Sequence, residues 1–335
     1  MFGTLRFVLA CLVAFSHLGG TVFGANPGVF AVIVFFMISG FVVQQILATG
    51  CRAEHFMIER AIRIVPAYFA VLISTVLMIP WLDRQSIFFL TKSPGVSDWI
   101  ANLTIVPLNY FMWNGQDRFT IIPPAWSLAL ELQFYALAPF VLSARRIWRI
   151  AMFAVSLGVW ISANLLFINP DWWGYRLLPG TMFIFLCGAE LARGAHLGGN
   201  MILGGSVFTA SILLVAYADG LVAIRPFNLE TAAGLAVGLL AIRILRGVPR
   251  RRWDDLLGGL AYPIFLTHFV LIWIFAANGT SPEKIVTNLT LFTVWSLATL
   301  ATSLIIYYAI DVPLGPLRRS LRVQQGKEIS KKGIQ

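Results

Sequence analysis

Long apolar stretches separated by short polar connections dominate the pattern of residues along the chain. Ten of these stretches are long enough to cross the hydrocarbon core of a membrane as a helix, which takes roughly 20 residues. They lie at residues 5–22, 29–47, 62–81, 124–143, 147–168, 177–193, 201–218, 228–245, 259–277 and 287–309. The pattern therefore predicts an all-α polytopic membrane protein with about ten transmembrane helices.

Two apolar segments allow more than one interpretation. Residues 99–113 are apolar but short and contain Pro107, which predicts a helix that lies at the membrane interface or enters it partway. The first stretch, at residues 5–22, also resembles a cleavable signal peptide. The polar residues Ser16 and His17 fit poorly in the apolar part of a signal peptide, and this favours a retained helix.

Composition and charge support the same topology. Hydrophobic residues make up 58% of the chain and charged residues only 12%, whereas soluble domains have about 25% charged residues. Of the 25 Lys and Arg residues, all but six fall on one predicted side of the membrane. The six exceptions are Arg84, Lys92, Arg118, Arg176, Arg225 and Lys284. Basic loops remain in the cytoplasm, so both termini are predicted to be cytoplasmic.

The net charge of +10 is explained by these loops and does not indicate nucleic-acid binding, because the basic residues form no patch interleaved with aromatic residues. We predict one transmembrane domain at residues 1–317 and a basic, disordered cytoplasmic tail at residues 318–335. The cysteines Cys11, Cys51 and Cys187 are far apart, and their spacing predicts neither a disulfide, a metal site nor a thiol nucleophile.

Ionisable residues inside predicted membrane helices are candidates for function, because burying them in lipid is costly. Arg6 and His17 are eleven residues apart, which at about 100° per residue places both on one face of a helix. A single His is often a hydrogen-bonded core residue, and an Arg at a helix start is often a topology anchor. Their shared face favours a functional pair.

The helix predicted at residues 124–143 carries a polar stripe. Ser127, Glu131 and Tyr135 follow one another at intervals of four residues, directly after Trp126. Glu131 is expected at a depth similar to that of His17, where a carboxylate would orient an imidazole acting as a general base. The alternative is a structural Glu that hydrogen-bonds to neighbouring helices.

Three further sets of polar residues lie in or at the ends of predicted helices, and two of the sets have two interpretations. Arg60 and Arg63 share one helix face and suit a phosphate ligand, or else belong to the basic cytoplasmic edge. Glu190 and Arg193 fit an intrahelical ion pair. His268 lies in the middle of a predicted helix, where a structural histidine is the alternative to a functional one.

Five motifs occur in an order that resembles the membrane-bound acyltransferase-3 family. They are Arg6 and His17 in an R-x10-H spacing, FFMISGF at 35–41, ERAIRIVPAY at 59–68, WSLALELQFY at 126–135 and YPIFLTH at 262–268. Each motif is weak alone, but the five together cover most of the chain. The family has a ten-helix core, which agrees with the number of apolar stretches. Phe265 departs from the pattern, since a Tyr is common there.

The resemblance implies a bacterial inner-membrane enzyme that O-acylates carbohydrates, with acyl-CoA, above all acetyl-CoA, as the donor. Arg60 and Arg63 would then bind the donor phosphates, and His17, with Glu131 and Arg6, would act on the acceptor hydroxyl. The supporting residues would be Ser39, Trp126, Ser127, Tyr135 and His268. No bound cofactor or metal is expected. The expected partners are membrane lipid, acyl-CoA, a carbohydrate acceptor and glycan-assembly machinery.

A secondary transporter or exporter is the main alternative, because such proteins also combine about ten helices with a few buried charges. Many transporters are built from two halves with related patterns and matching broken helices. No such internal symmetry is visible in this sequence, so the pattern favours the enzyme.

Overall fold

The computed structural model describes residues 2–82, 88–194, 197–249, 251–318 and 320–321. Within these residues the chain is almost entirely helical, and the two residue pairs in β-bridges are isolated. The helices are α1 (Phe2–His17), α2 (Pro27–Ala48), α3 (Ala53–Met78), α4 (Val96–Thr104), α5 (Phe111–Asn114), α6 (Ala125–Ser143), α7 (Arg146–Asn164), α8 (Leu178–Arg193), α9 (Leu197–Ala218), α10 (Asn228–Leu245), α11 (Arg252–Ala277), α12 (Pro282–Thr287) and α13 (Leu289–Ile306). The predicted all-α class is confirmed for these residues.

Among the described residues, eight helices are long and apolar enough to cross a membrane: α2, α3, α6, α7, α9, α10, α11 and α13. Each of the ten predicted stretches corresponds to a helix, but α1 and α8 have only 16 residues. At about 1.5 Å per residue, such helices fall short of a hydrocarbon core about 30 Å thick. The molecule is a multi-pass membrane protein, and the predicted number of ten transmembrane helices is not confirmed for the described residues.

The ends of several helices differ from the prediction. α1 ends at His17, because Gly19 follows with a φ of +85° that a helix does not allow. α3 begins at Ala53 and α11 at Arg252, so both start in polar sequence before the apolar stretch. Arg60 and Arg63 are therefore interior residues of a long helix. The predicted tail falls mostly outside the described residues.

The segment predicted at residues 99–113 is not one helix. It forms α4 and α5, with a 3-10 turn at Val106–Tyr110 between them that contains Pro107. The side chain of buried Asn102 donates to the carbonyl oxygen of Phe119 and accepts from the amide of Ile121. The Tyr68 hydroxyl of α3 donates to the Asn102 carbonyl oxygen at 2.7 Å. The short helices are thus fixed against the end of α3.

The core lies around α2, which packs against α1, α8 and α10, while α1 also packs closely against α11. α8 is buried at every position from residue 180 to residue 191. A Cβ at Gly40 would lie 1.9 Å from the Phe185 carbonyl oxygen, and one at Gly188 would lie 1.9 Å from that of Met37. The backbones of α2 and α8 therefore touch, which only glycine permits.

α1 and α11 run side by side in the same direction. Gly3 lies against Asp254 and Gly258 at one end, and His17 contacts His268 towards the other. We call the end where α1 and α11 begin the Phe2 side, and the opposite end the His17 side. The predicted topology requires α1 and α11 to be parallel, because both should enter the membrane from the same face.

Candidate functional site

A cavity of about 110 Å³ lies in the middle of the bundle, between α1, α2, α3, α6 and α11. Its wall combines apolar side chains with a dense group of polar ones. The polar residues are Arg6, Ser39, Arg60, Arg63, Ser127, Glu131, Tyr135 and Tyr262. We call this space the arginine cavity. It brings together seven of the ten residues selected from the sequence, and it adds Tyr262.

The polar stripe predicted on α6 is confirmed, since Ser127, Glu131 and Tyr135 all line the arginine cavity. The Ser39 hydroxyl of α2 donates to the Tyr135 hydroxyl at 3.2 Å, and the Tyr135 hydroxyl donates to the Glu131 carboxylate. This chain of hydrogen bonds fixes the direction of the Glu131 side chain. Glu131 therefore lies in the same cavity as Arg6 and does not face His17.

Arg60 and Arg63 have different surroundings. Arg60 is buried, and its Nε donates to the Glu59 carboxylate at 2.6 Å. Its guanidinium also lies 5.7 Å from the centre of the Tyr135 ring, within the range of a cation–π contact. Arg63 is half-buried, and no ion pair to it is found within the described residues. Arg63 therefore presents a more accessible positive charge to a ligand.

The arginine cavity adjoins a larger space of about 1,010 Å³ on the Phe2 side. Arg6, Arg63, Val42, Gly258 and Tyr262 line both spaces. We call the larger space the vestibule. A ligand that passes from the vestibule into the arginine cavity therefore meets Arg6 and Arg63, which line both spaces.

His17 pairs with His268 on the other side of the arginine cavity. Its Nδ1 lies 3.0 Å from His268 Nε2, and the two rings stack with their centres 5.1 Å apart. His268 Nδ1 lies 2.8 Å from the Ile264 carbonyl oxygen, which only accepts hydrogen bonds. In neutral His268 the proton is therefore on Nδ1, and His268 Nε2 accepts. It follows that His17 Nδ1 donates and that His17 Nε2 keeps a free lone pair.

The contact expected between His17 and Glu131 is not found within the described residues. His17 meets His268, and Glu131 accepts from Tyr135. The prediction rested on similar depth, but depth does not determine which sides of two helices face each other. Arg6 and His17, which were predicted to share a face of α1, make different contacts: Arg6 lines the arginine cavity and His17 contacts His268.

Trp126 is the one selected residue that lies away from both groups. Its ring stacks against the Arg176 guanidinium, 4.3 Å from the ring centre, and meets Tyr175 edge-on. Arg176 also pairs with Asp171 at 2.6 Å. From the sequence, Arg176 was predicted only to be one of the basic residues on the outer side. The cluster of aromatic residues near it, at residues 172–175, was the available signal.

Aromatic rings cover the histidine pair. Phe269 packs edge-on against His17 at 5.3 Å, and Phe89 packs against Phe269 at 5.6 Å. The chain after Phe89 is anchored by Lys92, whose ammonium lies 2.8 Å from Asp98. Burial raises the pKa of Asp98, but its bonds to Lys92 and to the Gly95 amide outweigh this effect and keep the pKa below its usual value.

These contacts define what the site can do chemically. Three arginines around one cavity can hold a multiply charged anion such as a phosphate. A neutral histidine with a free Nε2 can take a proton from a hydroxyl, and its partner can stabilise the imidazolium that forms. Both groups are carried by α1, since Arg6 and His17 are separated by about 16 Å along the helix axis.

Comparisons with known proteins give a family match over nearly the whole chain. A family model described as an acyltransferase domain matches residues 3–308. That range includes every residue of the arginine cavity and both histidines of the pair. No solved structure matches the chain.

Three curated relatives were also found. An uncharacterised protein of Aquifex aeolicus is 35% identical over 158 residues, covering 46% of this chain and 71% of the relative. Nodulation protein 10 of Rhizobium leguminosarum is 30% identical over 188 residues, covering 49% of this chain and 50% of the relative. A putative peptidoglycan O-acetyltransferase of Bacillus subtilis is 29% identical over 131 residues, covering 35% of this chain and 20% of the relative.

Proposed function

The chain belongs to the membrane-bound acyltransferase-3 family, and from this premise we propose that it transfers an acetyl group from acetyl-CoA to a hydroxyl of a cell-surface glycan. Exopolysaccharide and lipopolysaccharide O-antigen are the acceptor classes in view. One observation carries the proposal: α1 holds Arg6 in the arginine cavity and His17 in the histidine pair. The name of the Bacillus subtilis relative supports an acetyl group and a carbohydrate acceptor.

We place the Phe2 side in the cytoplasm of a bacterium and the protein in the inner membrane. The excess of Lys and Arg on that side of the predicted topology supports this orientation. Acyl-CoA is a cytoplasmic compound, and the vestibule opens on the same side. The donor would enter there and place its phosphates against Arg63 and Arg6.

The pantetheine arm of CoA separates the thioester from the phosphates. The phosphates could therefore contact the arginines of the cavity while the thioester reaches the histidine pair, which lies at a different depth. The arginine cavity extends to Phe265, which is one helical turn from His268 on α11. Phe265 stands where a Tyr is common in the family, so its ring offers no hydroxyl to the passing arm. The thioester would move past Phe265 towards His17.

In the chemical step, His17 Nε2 takes the proton of the acceptor hydroxyl while the hydroxyl oxygen attacks the thioester carbonyl carbon. The C–O bond forms, the C–S bond breaks, and the CoA thiolate receives the proton back from the His17 imidazolium. During the step His268 Nε2 accepts from His17 Nδ1 and stabilises the positive charge. Glu131 is placed to balance the arginines of the cavity.

The proposed function is tested by comparing surface glycans with and without the gene. Mass spectra of glycans from the deletion strain are expected to lack O-acetyl groups, and the wild-type gene should restore them. A transporter would instead change the amount of exported glycan without changing the acetyl groups on each chain. An unchanged acetylation pattern in the deletion strain would contradict the proposal. Copurification from the same strain would identify any glycan-assembly partner.

Replacing Arg63 with Ala is expected to raise the apparent KM for acetyl-CoA about 10- to 150-fold, since one charge-assisted contact contributes about 1.5–3 kcal/mol. Turnover at saturating donor should change much less, because Arg63 lies far from the histidine pair. Lys should restore the KM only in part, since an ammonium cannot form a two-pronged contact with a phosphate. The measurement is a donor titration of the purified protein.

Arg52→Ala is the matched control for Arg63. It removes the same charge at the residue directly before α3, where Arg52 is exposed and pairs with Glu54 outside the cavity. A donor KM that is equal in the wild type, Arg63→Ala and Arg52→Ala would show that Arg63 only anchors the topology. Arg60 is unsuited to this test, because its removal would also break its ion pair with buried Glu59.

A further inference from the structure

A second large cavity, of about 780 Å³, opens on the Phe2 side between α2, α7, α8 and α9. It shares no residue with the arginine cavity and only Gln45 with the vestibule. Its polar lining consists of Gln44, Gln45, Arg146, Arg149, Glu190 and Arg193. The proposed acyl transfer uses none of these residues.

The charges around this cavity do not balance. Three arginines face one carboxylate, that of Glu190. The Nε atoms of Arg149 and Arg193 lie 3.6 Å and 3.4 Å from Glu190 Oε1, farther than a good hydrogen bond. Sequence analysis predicted the pair between Glu190 and Arg193, and the structure adds Arg149. Among the described lining residues the cavity therefore has an excess of positive charge.

The two inner guanidinium groups are held in position by the backbone at the end of α6. Arg149 Nη1 donates to the Ala144 carbonyl oxygen, and Arg193 Nη2 donates to that of Leu142, both at 2.7 Å. Their Nε atoms are buried and make no hydrogen bond. The groups are thus fixed before a ligand arrives, which lowers the entropic cost of binding one.

A buried amide in the wall of the cavity also lacks a partner. Gln44 is 8% exposed, and its side-chain oxygen is buried without a hydrogen bond. An unpaired buried amide costs free energy unless a ligand or water satisfies it. Because the two ends of an amide can exchange by rotation, Gln44 can also offer an N–H to an anionic oxygen.

Two of the helices that line the cavity, α7 and α9, also carry exposed apolar side chains. Ile147 and Trp148 at the start of α7 are 66% and 63% exposed, and Met201 on α9 is 68% exposed. Trp is enriched where membrane proteins meet the headgroup region. A ligand with a charged end and apolar chains would use both the basic cavity and these side chains. A small soluble anion would use the cavity alone.

We propose that this cavity binds the phosphate headgroup of an anionic phospholipid from the cytoplasmic leaflet. Arg146, Arg149 and Arg193 contact the phosphate, and the acyl chains lie along the exposed apolar side chains Ile147 and Met201. Basic pockets between membrane helices on the cytoplasmic side recognise such headgroups. The bound lipid would join the ends of α6, α7 and α8.

The test uses the full-length protein purified in detergent, with dioleoylphosphatidylglycerol as the probe. Dioleoylphosphatidylcholine has the same chains but no net charge and serves as the control lipid. Native mass spectrometry reports the bound lipid, and the melting temperature reports stabilisation by ligand. The wild type is expected to bind the anionic lipid more tightly and to melt at a higher temperature in its presence.

The Arg146→Gln/Arg149→Gln double variant is expected to lose about 10- to 150-fold in affinity for the anionic lipid. Glu190 keeps Arg193 as a partner in this variant. Arg146→Gln alone should lose part of the affinity, and it is a mild change because Arg146 is exposed. Arg145→Gln removes the same charge one residue outside the cavity and should bind as the wild type does.

Three results would overturn the lipid assignment. The first is equal binding of the anionic and the zwitterionic lipid by the wild type. The second is a loss of affinity in Arg145→Gln as large as that in Arg146→Gln. The third is displacement of the lipid by inorganic phosphate or by CoA at concentrations similar to those of the lipid, which would make the cavity a site for a soluble anion.

Discussion

Replacing His17 with Ala is expected to lower acetyl transfer by at least about 10²–10⁴-fold, the usual contribution of a general base. Of the four ring nitrogens in the described histidine pair, three take part in its hydrogen bonds, and His17 Nε2 is the one left to accept a proton. Donor binding should survive, because Arg6 and Arg63 remain in place. The measurement is turnover of acetyl-CoA by purified protein with a glycan acceptor, together with glycan mass spectra of complemented cells.

His55→Ala is a suitable control for this variant. His55 lies on α3, lines none of the three cavities and contributes nothing to the histidine pair. Both variants should insert and purify in similar amounts, since each removes one ring. Normal glycan acetylation by a well-expressed His17→Ala protein would rule out His17 as the base.

Replacing His268 with Leu is expected to lower turnover about 10²–10⁴-fold, because it removes the acceptor that holds the proton of His17 on Nδ1. His17 Nε2 would then be protonated in part of the molecules and unable to act as a base. His268 acts through His17, so the effect should fall on kcat while the KM for acetyl-CoA stays the same. His268→Gln, which keeps an acceptor near the position of Nε2, should recover part of the rate.

Thr267→Val provides the comparison at the neighbouring position. Thr267 is also buried on α11, but its hydroxyl bonds to the Pro263 carbonyl oxygen and to Ser303. This variant should lose stability and keep its kcat. If His268→Leu and His268→Gln lose the same rate, or if both change the donor KM, His268 serves packing and does not position the base.

The arrangement also assigns Glu131 a role different from the one expected at first. A carboxylate surrounded by Arg6, Arg60 and Arg63 balances positive charge when no donor is bound. Its hydrogen bond from Tyr135 keeps it at the wall of the cavity. Arriving phosphates would compete with Glu131 for the same guanidinium groups. We therefore expect replacement of Glu131 to affect donor binding more than the action of the base.

Much of the fold could be predicted from the sequence, because local periodicity and hydrophobicity determine helices directly. Each of the ten apolar stretches is a helix, although α1 is shorter than predicted and α3 and α11 are longer. Helix ends were the weakest part, since polar residues that extend a helix beyond its apolar stretch leave no hydropathy signal. Gly19 and Gly20 were the signal for the end of α1.

Relations within one helix were also accessible from the sequence. The spacing of Arg6 and His17 predicts that they share a face of α1, and the spacing of Ser127, Glu131 and Tyr135 places all three in one cavity. A helix repeats every 3.6 residues whatever surrounds it, so residues that share a face can be recognised by counting. Pairs of adjacent residues are harder to recognise, because adjacent residues do not share a helix face. The ion pair between Glu59 and Arg60 was therefore not predicted.

Only the tertiary structure decided which helices meet and through which sides. His17 and His268 are 251 positions apart, and no spacing rule connects them. Depth in the membrane is only one of three coordinates, and by depth alone Glu131 and His268 were equally good candidates for the partner of His17. The choice depends on how each helix is rotated about its own axis, and close packing at contacts such as Gly40 with Phe185 sets that rotation for the bundle as a whole. The sequence by itself therefore determined the helices and their polar faces, and packing determined the partners.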